Sequence, residues 1–114
     1  MAEIRSEILQ GTLDLMVLQT LDAMGPMHGY GIARRIEQVS ENALVVNQGT
    51  IYLCLIRLVQ KKWIKATWGT SENNRKAKFY SISKAGQKQL KAETEDWERI
   101  SGVIGRLLQL TAGR

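Results

Sequence analysis

The chain has 114 residues and carries 16 lysines and arginines against 11 acids, a net charge of +5, so it is long enough for one domain with an appended helix. No apolar run approaches the length of a membrane span and no signal-peptide pattern opens the chain, so no membrane partner is expected. Cys54 is the only cysteine, which excludes an intrachain disulfide and a cysteine-based metal cage and fits a reducing, cytoplasmic setting.

Residues 5–24 predict the first helix. Leu13, Met16, Val17, Leu21 and Met24 recur at helical spacing, and Gly25-Pro26 ends the run, because a residue before proline is biased away from helix. Residues 28–39 predict a second helix with Tyr30, Ala33 and Ile36 as its inner stripe. A loop over 40–46 leads to a third helix, 48–62. Asn47 suits its N-cap, since the amide oxygen can accept from an unpaired N–H of the first turn, and Ile51, Leu55 and Leu58 share one face.

Residues 63–68 and 76–82 predict a β-hairpin, with Trp63 and Trp68 at its base in the core and Gly69 and Asn73-Asn74 as turn formers. Two strands alone are barely stable, so the pair must lean on the helices. From Ser83, an expected N-cap, the pattern returns to helix over 83–110, although Gly86 sits awkwardly in its first turn. Leu90, Trp97 and Ile104 are spaced by seven, and Trp97, Ile100, Ile104 and Leu107 trace a seam of the kind that joins helices. At 1.5 Å per residue this helix is on the order of 40 Å long and outgrows a small domain, so its seam needs another chain or the first helix.

Charge placement says more than its sum. Between Leu55 and Lys91 stand Arg57, Lys61, Lys62, Lys65, Arg75, Lys76, Lys78, Lys84, Lys88 and Lys91, with Glu72 as the only acid. A block of one sign points to a polyanion, nucleic acid before an anionic membrane. The third helix has one apolar stripe, a polar N-terminal end at Gln48, Thr50 and Tyr52, and a basic flank, which is what a major-groove helix needs; an ordinary amphipathic surface helix is the other reading. Three helices and a hairpin give a mainly α (α+β) class: a winged helix-turn-helix over 1–82 followed by a long C-terminal helix over 83–110, a dimerisation helix if its seam meets another chain.

The same residues resemble the phenolic acid decarboxylase regulator (PadR) family of bacterial transcription factors. Gly11-Thr12-Leu13-Asp14-Leu15 is similar to its first-helix motif, and Gly25-Pro26-Met27-His28-Gly29-Tyr30-Gly31-Ile32 to its G-P-x-x-G-Y-x-I turn. Asn47 to Tyr52 with Leu55, Arg57 and Leu58 resembles its recognition helix. Arg75-Lys76 and Lys78-Phe79-Tyr80 resemble its wing strand, and Ser83-Lys84-Ala85-Gly86 with Leu90 the start of its last helix. The chain departs from the pattern at Leu53, where proline is common, at Val59, where an acid is common, at Ala77 and at a thinned wing tip, Asn73-Asn74-Arg75. These positions bear on which operator is read more than on the fold. The resemblance implies a homodimer held by the last helix, dyad-symmetric operators and usually repression. In some members an aromatic or drug-like ligand sits at the dimer centre, where Trp97 holds the matching place.

The expected DNA-binding set is therefore Gln48, Gly49, Thr50, Tyr52, Arg57, Lys61, Arg75, Lys76 and Lys78, with a nucleoid-associated location. The expected dimer interface is Leu90, Trp97, Ile100, Ile104 and Leu107. Trp97 is either a plain seam residue or one wall of a slot for a planar effector. Catalysis lacks a constellation: His28 and Cys54 stand alone of their kinds on different elements, and no cofactor or metal is expected. A winged helix that binds protein, or DNA without sequence preference, is the alternative.

Overall fold

The computed structural model describes the backbone of residues 6–112 and the side chains of residues 11–110. Helix α1 spans Ser6–Met24; its expected start at Arg5 lies outside the described residues. Gly25 ends it in the left-handed region, φ 82°, and its N–H reaches Leu21 O at 3.0 Å, a turn that glycine adopts without a Cβ penalty. Strand β1, Met27–His28, follows and leads into α2, Gly29–Val39. The remaining elements are α3, Gln48–Gln60, β2, Ile64–Thr70, β3, Lys76–Ile82, and α4, Lys84–Ala112.

The three strands form an antiparallel sheet in the order β1-β3-β2. Ile64 faces Ile82 at the base of the hairpin and Thr70 faces Lys76 at its tip, while Met27 and His28 pair with Tyr80 and Phe79. The short first strand has no two-residue period to announce it, and it ties the start of α2 to the wing. Gly69, expected in the turn, lies inside β2. A Cβ there would meet the Phe79 ring at 3.0 Å, so glycine makes room for that ring rather than for a bend.

The core lies between the helices and one face of the sheet. α1 supplies Leu13, Val17, Leu18 and Leu21, α2 supplies Ile32, Ala33 and Ile36, and α3 supplies Ile51, Cys54, Leu55 and Leu58; Ile64, Tyr80 and Leu90 close it. Two expectations are corrected. Tyr30 is exposed, because α2 turns its Ile32–Ala33–Ile36 line inward and Tyr30 falls outside that arc. Leu90 is buried in the protomer's own core at 6% exposure, because the seven-residue spacing does not reveal where the last helix leaves the domain.

The start of α4 is fixed tightly. Ser83 Oγ accepts from Gly86 N–H at 3.0 Å, capping the helix, and lies 2.8 Å from Lys62 O. Gly86 faces the backbone of Trp63: a Cβ built on it would stand 2.0 Å from that carbonyl oxygen. The awkward glycine is thus the contact that lets α4 spring from the junction of α3 and β2. Further along, Gln87 Nε2 donates to Asp22 Oδ1 at 3.1 Å, holding α4 beside α1. The whole is a winged helix-turn-helix with a projecting last helix.

Candidate nucleic-acid interface

The centre of the surface is α3. Asn47 caps it, its Oδ1 accepting from Thr50 N–H at 2.8 Å. Ile51, Cys54, Leu55 and Leu58 face the core. At 100° per residue the line opposite them is Gly49, Leu53, Ile56 and Gln60, and all four are exposed. Gln48 and Tyr52 stand on the shoulder toward the wing, and Thr50 and Arg57 on the other shoulder.

Between that first shoulder and β3 runs an open groove of about 420 Å³. Gln48 and Tyr52 form one wall, Arg75, Lys76 and Lys78 the other, and His28, Tyr30 and Tyr80 the end and floor. His28 is the N-cap of α2: its Nδ1 accepts from Gly31 N–H at 3.0 Å, so the neutral ring carries its proton on Nε2. Its ring stands edge-on to Phe79, centroids 5.9 Å apart. Burial, with a smaller contribution from the Tyr52 phenol, pushes the Tyr80 phenol above its ordinary value.

The wing lines this groove through Ser71, Arg75, Lys76, Ala77 and Lys78. Trp68 shares a sheet face with Ile64 and Tyr80, but the hairpin runs past the edge of the core, so only the base of that face is covered. Trp68 is consequently 63% exposed and not core, with Lys76 Nζ and Lys78 Nζ at 6.0 and 5.6 Å from its ring centroid. Trp63, at the base, is half-buried against the core, and Lys61, the C-cap of α3, places its ammonium 4.8 Å from that ring.

Arg57 has another engagement. Its guanidinium pairs with the carboxylate of Asp14 on α1, which also accepts from Cys54 Sγ at 3.2 Å. The hydrogen bond to Asp14 holds the Arg57 pKa above its ordinary value. Burial, then the Asp14 contact, pushes the Cys54 thiol far up, so the sulfur stays protonated and unreactive at neutral pH. The pairing joins residues 43 apart in the chain and fixes the second shoulder of α3 against α1.

A family model described as the transcriptional regulator PadR-like family matches residues 17–92. The chain belongs to that family. It is similar to a transcriptional regulator from Clostridium thermocellum, 28% identical with a TM-score of 0.79, over 88% of this chain and 96% of that one. A PadR-like regulator from Bacillus cereus is 27% identical with a TM-score of 0.77, over 90% and 97% of the two chains. An uncharacterized protein X of Lysinibacillus sphaericus is 26% identical over 93% of this chain and 96% of its own length.

This PadR-like protein is therefore a DNA-binding transcriptional regulator and not an enzyme. Among the described residues no group of histidine, cysteine and acid side chains could hold a metal, and no helix is long and apolar enough to cross a membrane. The structure brings Gln48, Tyr52, Arg75, Lys76 and Lys78 together around one groove and sets Gly49 on the exposed face of α3 beside it. It separates Arg57, turned to Asp14, and Lys61, at the far end of α3. Ile56, His28 and Trp68 join the surface without having been expected there, and Leu53, expected to bear on which operator is read, stands with Ile56 on the outermost line of α3. Counting outward from the inner stripe of α3 finds Leu53 and Ile56, but nothing in the local pattern signals Trp68.

Proposed function

We propose that the protein is a homodimeric repressor that lays α3 of each protomer in successive major grooves of a dyad-symmetric operator, about 34 Å apart. The observation that carries this reading is the groove between α3 and β3, polar on one wall and tribasic on the other. A phosphate strand lying in it meets Arg75, Lys76 and Lys78 while the outer face of α3 is presented to base edges. Residues 1–82 serve as the reading unit and residues 83–110 as the pairing unit. Arg57 then serves by fixing α3 on α1 rather than by touching phosphate.

Pairing is supported by the outer half of α4. Trp97, Ile100, Val103, Ile104 and Leu108 expose between 42% and 66% of their surface on one arc of that helix, and Leu107 lies on the same arc. A second copy is the occupant that the dyad requires. Thr94, one turn before Trp97 on α4, lines an apolar groove of about 500 Å³ together with Leu15, Met16, Ile36, Val39 and Leu44. A planar aromatic or drug-like effector stacked on Trp97 would change the spacing of the two reading helices and release the DNA.

Footprinting on a duplex selected from random sequence tests this. The wild type is expected to protect two symmetric patches one helical turn apart, and Ile104→Asp, monomeric by light scattering, to protect neither. A planar compound that erases the footprint of the wild type is expected to leave that of Trp97→Ala intact. A single patch, or a dimeric Ile104→Asp with an unchanged footprint, contradicts the reading.

A further inference from the structure

Leu53 is 63% exposed and Ile56 37% exposed, and with Gly49 and Gln60 they form the line of α3 farthest from the core. In a helix that enters a major groove this line runs deepest, while Gln48 and Tyr52 lie to the side, in the groove toward the wing. The deepest line therefore carries no charge, and its two middle residues offer no hydrogen-bond donor or acceptor. Around it the surface is cationic, with Arg75, Lys76 and Lys78 beside the wing groove and Lys61 and Lys62 at the helix end. A duplex matches this arrangement of basic flanks around an apolar crest: phosphates outside, and inside the one apolar group that the major groove presents, the 5-methyl of thymine.

Resting on the DNA-binding reading above, we propose that Leu53 and Ile56 are specificity-determining residues that pack on thymine 5-methyl groups, so that each half-site carries thymine under the crest of α3. The side chains sit one helical turn apart on the same line, so one recognition helix can meet methyls on neighbouring base steps. Gly49, with no side chain beyond its backbone, lets the first turn approach the base edges closely. Gln48 can add a pairing to adenine from the shoulder.

The test replaces thymine by deoxyuridine, position by position, in the duplex that the full-length protein selects from random sequence. This substitution removes only the methyl. The wild type is expected to lose about fourfold in affinity for each contacted methyl, the worth of one buried carbon. Leu53→Ala and Ile56→Ala are expected to fold as the wild type does, since both sites face solvent and alanine favours helix. Each variant should bind the thymine and deoxyuridine duplexes alike at the position that its side chain covers.

Equal wild-type binding to both duplexes at every position overturns the assignment and leaves DNA binding standing. So does selection of half-sites without thymine, or an unchanged methyl dependence in both variants. Failure of the wild type to bind any duplex overturns the assignment together with the reading on which it rests.

Discussion

Replacing Arg75, Lys76 and Lys78 together by glutamine is expected to weaken binding to duplex DNA by about a hundredfold or more near 0.1 M salt. The three side chains are exposed and line one wall of the wing groove, so in the proposed dimer six cations are lost. Each neutralised phosphate contributes about 0.9 to the slope of log affinity against log salt, so the slope should become shallower by about five. Stability should barely change, because exposed lysines make few contacts beyond the weak stacking of Lys76 and Lys78 on Trp68. Thermal melting separates the two effects. An affinity within about threefold of the wild type, with the slope kept, removes the wing from the phosphate contacts.

Gly86→Ala is expected to cost about 3 kcal/mol or more, read by chemical denaturation, with a fall in Tm of roughly 12 °C or more. Two effects of opposite sign compete there. Helix propensity favours alanine by about 1 kcal/mol. Against it, the new methyl would lie 2.0 Å from the backbone oxygen of Trp63 and 2.8 Å from the Ile82 side chain. Backbone cannot rotate aside as a flexible side chain can, and the same oxygen accepts from Ser83 N–H at 3.0 Å. The clash should win, prising the first turn of α4 from the α3–β2 junction. A Tm equal to or above that of the wild type would show that this junction is loose.

Much of this architecture was written in local pattern. The inner stripe of α3, the Asn47 cap, the Ser83 cap and the stop at Gly25 all follow from contacts within four residues, which a sequence displays directly. What escaped depends on where an element meets the rest of the molecule. Trp68 alternates correctly with Ile64, yet the sheet outruns the core beneath it. Tyr30 looked like a core residue until the line through Ile32 and Ile36 set the inward face of α2. Leu90 belongs by period to the seam and by position to the protomer core. The Asp14–Arg57 pair spans 43 residues, and no local rule links an acid on the first helix to a base on the third.

The site was legible in composition more than in geometry. The basic block and the polar start of α3 pointed to nucleic acid, and the structure gathers five of those residues, Gln48, Tyr52, Arg75, Lys76 and Lys78, around one groove. Polar residues on α3 were the ones expected to face bases; Leu53 was marked only as a departure bearing on operator choice, and Ile56 not at all. Those two occupy the outermost line of the helix because Ile51, Leu55 and Leu58 take the opposite one. Arg57 counted as a cation for DNA when its partner was inside the protein.

On the proposed function, a cationic surface built on α3 and the wing grips duplex DNA and reads its sequence. Competition on a selected duplex over a range of salt measures both parts at once. The specific complex is expected to survive about a thousandfold excess of unrelated duplex, with log affinity falling against log salt at a slope of about −5 or steeper. A complex displaced by an equal amount of unrelated duplex, or an affinity indifferent to salt, would contradict it.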